Sequence, residues 1–175
     1  MHLTLVTGGA RSGKSDRAEQ LALRSGGERV TFIATAEAGD AEMATRIARH
    51  RERRHTGWTT VEAPCDPAAA IIGATTPVVL LDCLTLLASN LLLSADASGN
   101  DGPAVVHAQV EAILAARSHR DGSLIIVTNE VGLGIVPATP LGRLYRDVLG
   151  QANRRVAEVA DSVVLMVSGL VWTLR

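Results

Sequence analysis

The sequence predicts an α/β fold in which a mostly parallel sheet is covered by helices on both faces, giving three layers. Apolar runs such as Leu3–Thr7 and Val78–Asp82 show no polar alternation, which is typical of strands buried on both faces. Helical patterns separate these runs, as crossover helices do between parallel strands. The last two strands, Ser162–Val167 and Leu170–Leu174, are joined at Ser168-Gly169 as a hairpin, so we expect an antiparallel C-terminal edge.

The remaining elements follow from the same patterns. Further strands are predicted at Arg29–Ala34, Trp58–Glu62 and Leu124–Thr128, and a flexible loop at Ser94–Pro103. Helices are predicted after the loop Gly8–Ser15, from Asp40 to about Arg54, from the end of Val78–Asp82 to about Leu93, over Ala104–Arg117, and from Pro140 to Ala160.

Length and composition restrict the class of protein. The chain has 175 residues, which predicts a single domain over residues 1–175, and it is 47% hydrophobic and 20% charged, as globular proteins are. Its 17 basic and 18 acidic residues nearly cancel, and aromatic residues make up only 2%, which argues against a nucleic-acid partner. No segment is a clean membrane span or a signal peptide, and two cysteines without CxxC spacing fit the cytoplasm.

The strongest motif is a phosphate-binding loop, Gly8-Gly9-Ala10-Arg11-Ser12-Gly13-Lys14-Ser15. It matches GxxxxGK[ST] in full, with an apolar strand before it and a helix after it, as in P-loop NTPases. Glycines let backbone N–H groups surround an anion, and the lysine reaches the β- and γ-phosphates. Lys14 is the only lysine among the 17 basic residues, which favours a chemical role over a plain connecting turn.

A carboxylate is needed to complete a magnesium site with the Ser15 hydroxyl. Asp82 ends an apolar strand, so it should face the crevice at the carboxyl edge of the sheet, although an ordinary helix N-cap is the alternative. Glu130 ends another strand and should lie at the same edge. It is a candidate general base or metal-shell ligand, and a solvated loop carboxylate is equally compatible with the sequence.

The second candidate site is a basic helix that contains a histidine. Arg46, Arg49, His50 and Arg53 recur at helical spacing and are predicted to share one face, which suits a triphosphate. Neighbouring positive charge disfavours the imidazolium, so His50 is a candidate nucleophile toward phosphorus. Residues alone favour a solvated basic helix with an incidental histidine. Farther on, Glu62 is a candidate acceptor for guanine N1 and N2, or a plain strand-end carboxylate.

The segment Val131–Pro137 is apolar, punctuated by glycines and stiffened by proline. Such a loop can cover a large apolar ligand or pack on another subunit, although burial in the core is the commoner outcome.

Together these segments resemble one family. They are GGARSGKS, Ile33–Ala36, the pattern EMxxRIxxHRxxR…WxTVE from Glu42 to Glu62, LLDCLT, TNEVGxGIVP and the closing VSGL. The chain resembles, over nearly its whole length, the bifunctional adenosylcobinamide kinase / adenosylcobinamide-phosphate guanylyltransferase family of cobalamin biosynthesis. The resemblance implies phosphorylation of adenosylcobinamide by ATP or GTP. It also implies transfer of GMP from GTP, through a GMP–histidine intermediate, to adenosylcobinamide phosphate, giving adenosylcobinamide-GDP and pyrophosphate.

The resemblance also implies residue roles, a RecA-like fold, Mg²⁺, a corrinoid substrate and a trimer. His50 would be the guanylylated residue, with Lys14 and Glu130 as further catalytic residues, and Ser15 and Asp82 as metal ligands. The nucleotide would be held by Gly9, Ala10, Arg11, Ser12, Gly13, Lys14, Ser15, Asp16, Ala34, Thr35, Ala36, Arg51, Glu52, Arg53, Arg54, Glu62 and Leu84.

Two other functions stay open from the sequence. One is a P-loop kinase for another small molecule, in which His50 has no role. The other is a nucleotide-dependent binding switch, but TNEV lacks the lysine and aspartate of the NKxD-type guanine motif. The chain also departs from the resembled family at His55, where that family often has proline.

Overall fold

The computed structural model describes residues 1–175, with the side chains of Arg46 and Arg53 outside the described part. The strands are β1 (His2–Gly8), β2 (Val30–Ala34), β3 (Thr59–Glu62), β4 (Val78–Asp82), β5 (Ser123–Val127), β6 (Ser162–Val167) and β7 (Leu170–Thr173). The helices are α1 (Lys14–Gly26), α2 (Ala41–Arg53), α3 (Pro67–Gly73), α4 (Leu84–Ser98), α5 (Gly102–Ser118) and α6 (Pro140–Val159).

All seven strands form one sheet in the order β3-β2-β4-β5-β1-β6-β7. Every pairing is parallel except that of β6 with β7, which is antiparallel. The predicted sheet and its antiparallel edge are therefore confirmed. The order places β5 between β1 and β4, so the ends of these three strands lie side by side at one edge.

Two buried clusters explain why the strands lack polar alternation. Leu3 and Leu5 of β1 pack in one cluster, and Val6 packs in the other on the opposite face. The first cluster also contains residues of α3, α4, α5 and α6, whereas the second contains Ala18 and Ala22 of α1. Because helices cover both faces, each strand buries both sets of side chains.

The predicted flexible loop Ser94–Pro103 is wrong. Helix α4 continues to Ser98 because Ala95 is buried, and it ends where Gly99 adopts a left-handed conformation with φ of 70°. The Asp101 side chain then accepts a hydrogen bond from the Ala104 N–H at 3.2 Å and caps α5. Only residues 99–101 connect the two helices. Gly99 and Asp101, which favoured a loop in the sequence, serve as helix caps.

Sequence reasoning also missed α3. Asp66 caps this helix by accepting a hydrogen bond from the Ala69 N–H at 3.2 Å, and Pro67 is its first residue. Ile71 is fully buried against the sheet. The signals were present, since an N-cap residue followed by proline is typical of a helix start.

The long helix and the hairpin are confirmed, but of the apolar segment Val131–Pro137 only Val131 packs against the core. Leu133 is 89% exposed and Ile135 is 96% exposed, because the chain crosses the surface between β5 and α6. No helix in the described chain has the length and apolarity needed to cross a bilayer.

Candidate nucleotide-binding and transfer site

The phosphate loop lies between the end of β1 and the start of α1. Gly8 has a φ of 148°, and a Cβ there would collide with the Met166 carbonyl, while Gly13 has a φ of 91° before the helix begins. Lys14 is only 8% exposed, and its ammonium donates a hydrogen bond to the Gly9 carbonyl at 2.5 Å. The lysine thus sits folded onto the loop, within the wall of a cavity.

The C-terminal hairpin supports this loop from the side. The Gly169 N–H donates a hydrogen bond to the Ser12 carbonyl at 3.0 Å. Gly169 sits at the tip between β6 and β7 with a φ of 84°. The hairpin therefore fixes one peptide of the loop that the sequence assigns to phosphate.

Asp82 ends β4 beside the start of α1, where Ser15 hydrogen-bonds to its carboxyl group. Burial raises the pKa of Asp82, and the Ser15 hydrogen bond and the charges of His50, Arg54 and Lys14 oppose that rise. The alternative N-cap role is wrong, because Cys83 occupies the N-cap of α4. A carboxylate oxygen and a hydroxyl oxygen side by side are ligands that Mg²⁺ accepts.

Burial also lowers the pKa of Lys14, while the negative charge of Asp82 acts to raise it. The pKa of the Cys83 thiol is shifted in the other direction. Burial, and to a smaller extent the charge of Asp82, raise it to about 12. Since a thiolate is the nucleophilic form of cysteine, Cys83 is not a nucleophile at neutral pH.

Helix α2 forms the opposite side of the cavity. Asp40 caps it by accepting a hydrogen bond from the Met43 N–H at 2.7 Å. Met43, Ile47 and His50 recur at helical spacing and line the cavity, and the imidazole is exposed. Arg49 is not among the described residues that line the cavity, so its predicted contribution to a triphosphate site stays a prediction. The predicted partners Arg46 and Arg53 lie outside the described side chains.

Past the end of α2, aromatic stacking ties the chain to the sheet. The Trp58 ring stacks on Phe32 with centroids 6.5 Å apart, and its indole N–H donates to the Gly27 carbonyl at 3.0 Å. The His55 ring also stacks on Trp58, with centroids 6.1 Å apart. Its Nδ1 accepts a hydrogen bond from the Gly57 N–H at 3.2 Å, so this histidine builds the turn in place of a proline.

The cavity has a volume of about 590 Å³ and brings most of the predicted residues together. Arg51 and Glu62, which form an ion pair, both reach it from one end. Of the residues predicted to hold nucleotide, catalyse transfer or bind metal, those that line it are Ala10, Arg11, Ser12, Gly13, Lys14, Ser15, Asp16, Ala34, Ala36, His50, Arg51, Arg54, Glu62 and Asp82.

Other predicted residues lie elsewhere among the described part of the chain. Leu84 and Thr35 have no exposed surface, and the Thr35 hydroxyl donates to the Cys83 carbonyl at 2.7 Å. Glu52 lines an adjoining recess between α2 and β3. The Glu130 N–H donates to the Gly8 carbonyl at 3.0 Å, which puts this residue at the predicted edge without making it part of the cavity lining.

Gly9 is likewise not among the described lining residues, and its carbonyl accepts the Lys14 bond. The side chain of Arg53 lies outside the described part. These placements leave the assigned roles as predictions.

Several lining residues were not predicted. They include Phe32 in the middle of β2, Thr85 at the start of α4, and Asn129. Asn129 follows β5, so the rule that identified Asp82 and Glu130 also applies to it. Within the described part, no cluster of three His, Cys, Asp or Glu side chains could hold a metal alone. Any Mg²⁺ held by Ser15 and Asp82 would therefore share phosphate oxygens.

The comparisons with known proteins agree with this site. The family model described as cobinamide kinase / cobinamide phosphate guanyltransferase matches residues 4–174. The bifunctional adenosylcobalamin biosynthesis protein CobP of Pseudomonas aeruginosa is 44% identical over 173 residues, covering 98% of this chain and 96% of that protein. CobU of Escherichia coli, a protein of the same description, is 40% identical over 179 residues, covering 96% of this chain and 97% of the relative. This chain therefore belongs to the cobinamide kinase / cobinamide phosphate guanyltransferase family, which has a P-loop NTPase-type fold.

Proposed function

We propose that this protein phosphorylates adenosylcobinamide with ATP or GTP and then transfers GMP from GTP to adenosylcobinamide phosphate. The products of the second reaction are adenosylcobinamide-GDP and pyrophosphate. One observation supports both reactions: His50 and Lys14 line the same cavity. A nucleotide whose phosphates lie on the loop would thus reach both groups.

In the kinase half, the phosphate loop and Lys14 hold the terminal phosphates of the nucleotide. The corrinoid hydroxyl oxygen forms a bond to the γ-phosphorus as the bond to the departing nucleoside diphosphate breaks, and the hydroxyl proton is released. Ser15 and Asp82 would hold Mg²⁺, which when bound neutralises phosphate charge. Glu130 is proposed to take the proton or support the metal shell, because its backbone bond to Gly8 keeps it near the loop.

In the guanylyltransferase half, an imidazole nitrogen of His50 attacks the α-phosphorus of GTP. A nitrogen–phosphorus bond forms, the bond to pyrophosphate breaks, and Lys14 and Arg51 stabilise the departing charge. An oxygen of the corrinoid phosphate then displaces the imidazole and takes the GMP. The exposed position of His50 supports this role, because a covalent carrier must meet two substrates in turn.

Nucleotide recognition extends along the cavity. We assign the phosphates to Gly9–Asp16, and the nucleoside to the turn Ala34–Ala36, the segment Arg51–Arg54 and Glu62, whose carboxylate pairs with Arg51. The corrinoid is the small-molecule partner, the assembly is a trimer, and the cytoplasm is the compartment that suits the two free cysteines.

The deciding experiment uses GTP labelled at the α- or the γ-phosphate. Label retained on the protein only from the α-position, labile to acid and stable to base, is the expected result. His50→Ala should abolish this adduct and keep kinase activity, whereas His55→Ala, a histidine five residues away, should keep both. Kinase activity without any adduct in the native protein would favour a plain small-molecule kinase.

A further inference from the structure

Asn129 occupies a place in the cavity that the reactions above leave without a role. It follows β5, which lies between β1, leading to the phosphate loop, and β4, which ends at Asp82. Asn129 lines the cavity with Lys14 and Ser15. None of the hydrogen bonds within the described part of the chain uses its side-chain amide, so that amide can bind a ligand.

The backbone of Asn129 is held on both sides. Its N–H donates to the Thr85 hydroxyl at 2.7 Å, and its carbonyl accepts a hydrogen bond from the Asn153 side-chain amide at 2.9 Å. Asn153 lies on α6, on the far side of the exposed segment Val131–Pro137. The peptide groups of Asn129 are therefore fixed by two elements that are distant in sequence.

These partners close into a ring. The Thr128 hydroxyl donates to the side-chain amide oxygen Oδ1 of Asn153 at 2.7 Å and lies 3.5 Å from the Thr85 hydroxyl. Thr128 has no exposed surface and Thr85 is only 6% exposed, so water does not compete strongly for these bonds. A closed network of satisfied polar groups in such surroundings is rigid.

We propose that the Asn129 amide donates a hydrogen bond to the phosphoryl group transferred in the kinase reaction, and that Asn153 is a positioning residue that aims it. The inference rests on the proposed kinase function. The phosphate loop follows β1 on one side of β5, and Asp82 ends β4 on its other side, so Asn129, which follows β5, lies between them. A neutral donor there stabilises charge on the phosphoryl oxygens without the repulsion that a carboxylate would add.

A double-mutant cycle tests both residues. Asn129→Ala should lower the kinase kcat about 100-fold, as loss of one fixed donor does in other enzymes. Asn153→Ala should lower it about tenfold, with the nucleotide KM changed less than about threefold. The double variant should be no slower than Asn129→Ala, because Asn153 acts only through Asn129. Independent effects that multiply to about 1000-fold would overturn the positioning role.

A second variant protects the test against misfolding. Asn153→Asp keeps the shape and still accepts the Thr128 hydrogen bond, but it has no N–H for the Asn129 carbonyl. It should reproduce the loss seen with Asn153→Ala. Tyr145→Phe removes the other bond from α6, which runs to the Thr85 carbonyl at 3.3 Å outside the ring, and should leave kcat within about twofold.

Labelling with α-labelled GTP separates this role from general distortion of the site. The reacting atom in that step is the α-phosphorus, and the γ-phosphoryl group only departs with pyrophosphate, so adduct formation in Asn129→Ala and in Asn153→Asp should fall by clearly less than the kinase kcat does. Equal losses in both reactions would overturn the proposal. Absence of kinase activity in the native protein would instead reject the proposed function, and native-like kcat in both variants would reject this inference alone.

Discussion

The guanidinium of Arg54 lies over the ring of Phe32, with Cζ 3.7 Å from the ring centroid. Phe32 is part of β2, whereas Arg54 follows the last residue of α2, so this contact joins the helix that carries His50 to the sheet. The described side chains of α2 are all exposed or half-buried. Its position thus depends on contacts at its end rather than on a buried face.

We expect Phe32→Leu to slow formation of the GMP adduct at His50 about tenfold. The change removes the aromatic face under Arg54 and costs about 1–2 kcal/mol of folding free energy. The adjacent Ile33→Val is the matched control, because Ile33 is also fully buried but packs on the opposite face of the sheet. It should cost about 1 kcal/mol and leave the labelling rate unchanged. Equal rates in the two variants would contradict the anchoring role.

A second prediction concerns Asp82, whose pKa is raised by burial. A carboxyl group with a raised folded-state pKa binds its proton more tightly in the folded protein, so its ionisation opposes folding as pH rises above the usual aspartate range. Asp82→Asn should therefore raise the thermal midpoint of the nucleotide-free protein at neutral pH, and this gain should vanish in acid. The same variant should lose Mg²⁺-dependent kinase activity by about 100-fold or more.

Asp161→Asn is the control of opposite sign. The Leu3 N–H donates to this carboxylate at 2.7 Å and, with the Arg117 charge, holds its pKa below the usual range. Its stabilising contribution is present above that range and is lost as pH falls through the folded pKa. The variant should lower the thermal midpoint at neutral pH and leave Mg²⁺ dependence intact, as measured by scanning calorimetry and kinase assays across pH.

The sequence predicted those parts of the site that depend on local chain geometry. Gly13 and Lys14 belong to a fixed motif, and Asp82 ends a buried strand, so all three positions can be inferred from neighbouring residues. The ring around Asn129 could not be inferred in this way. It needs Thr85 and Asn153, which are contributed by two helices, and their proximity depends on how α4 and α6 pack on the sheet.

The orientation of the basic helix α2 also depends on more than local spacing. Its sequence spacing predicted a helix, which is confirmed, but spacing alone did not show which side of the helix faces the cavity. Met43, Ile47 and His50 line the cavity together, as their shared helical spacing allows, whereas Arg49 is not among the described lining residues. Apolar residues within a charged run marked the inward side, and a wholly solvated helix would not require them.

Replacing Leu84 with alanine should lower the stability of the fold without weakening nucleotide binding. Its side chain is fully buried beside α4 neighbours such as Leu87, so contact with nucleotide through that side chain is not expected. Leu84→Ala should cost about 2–5 kcal/mol in urea unfolding, because it leaves a cavity in the core. The nucleotide Kd measured on the folded protein should change less than about threefold. A large loss of affinity with native stability would contradict this assignment.

The tip of the C-terminal hairpin contacts the phosphate loop, where the Gly169 N–H donates a hydrogen bond to the Ser12 carbonyl. Gly169 has a φ of 84°, so an alanine there is strained by about 1–2 kcal/mol even though its Cβ meets no atom within 4 Å. Relief of that strain should move the N–H away from Ser12 and weaken nucleotide binding about five- to tenfold.

Gly99→Ala is the matched control, since Gly99 has a φ of 70°, is equally open and lies at the end of α4. Calorimetric titration should show the loss of affinity in the first variant alone, although both lose similar stability. A similar drop in both would mean that general destabilisation, rather than the Ser12 contact, controls the loop.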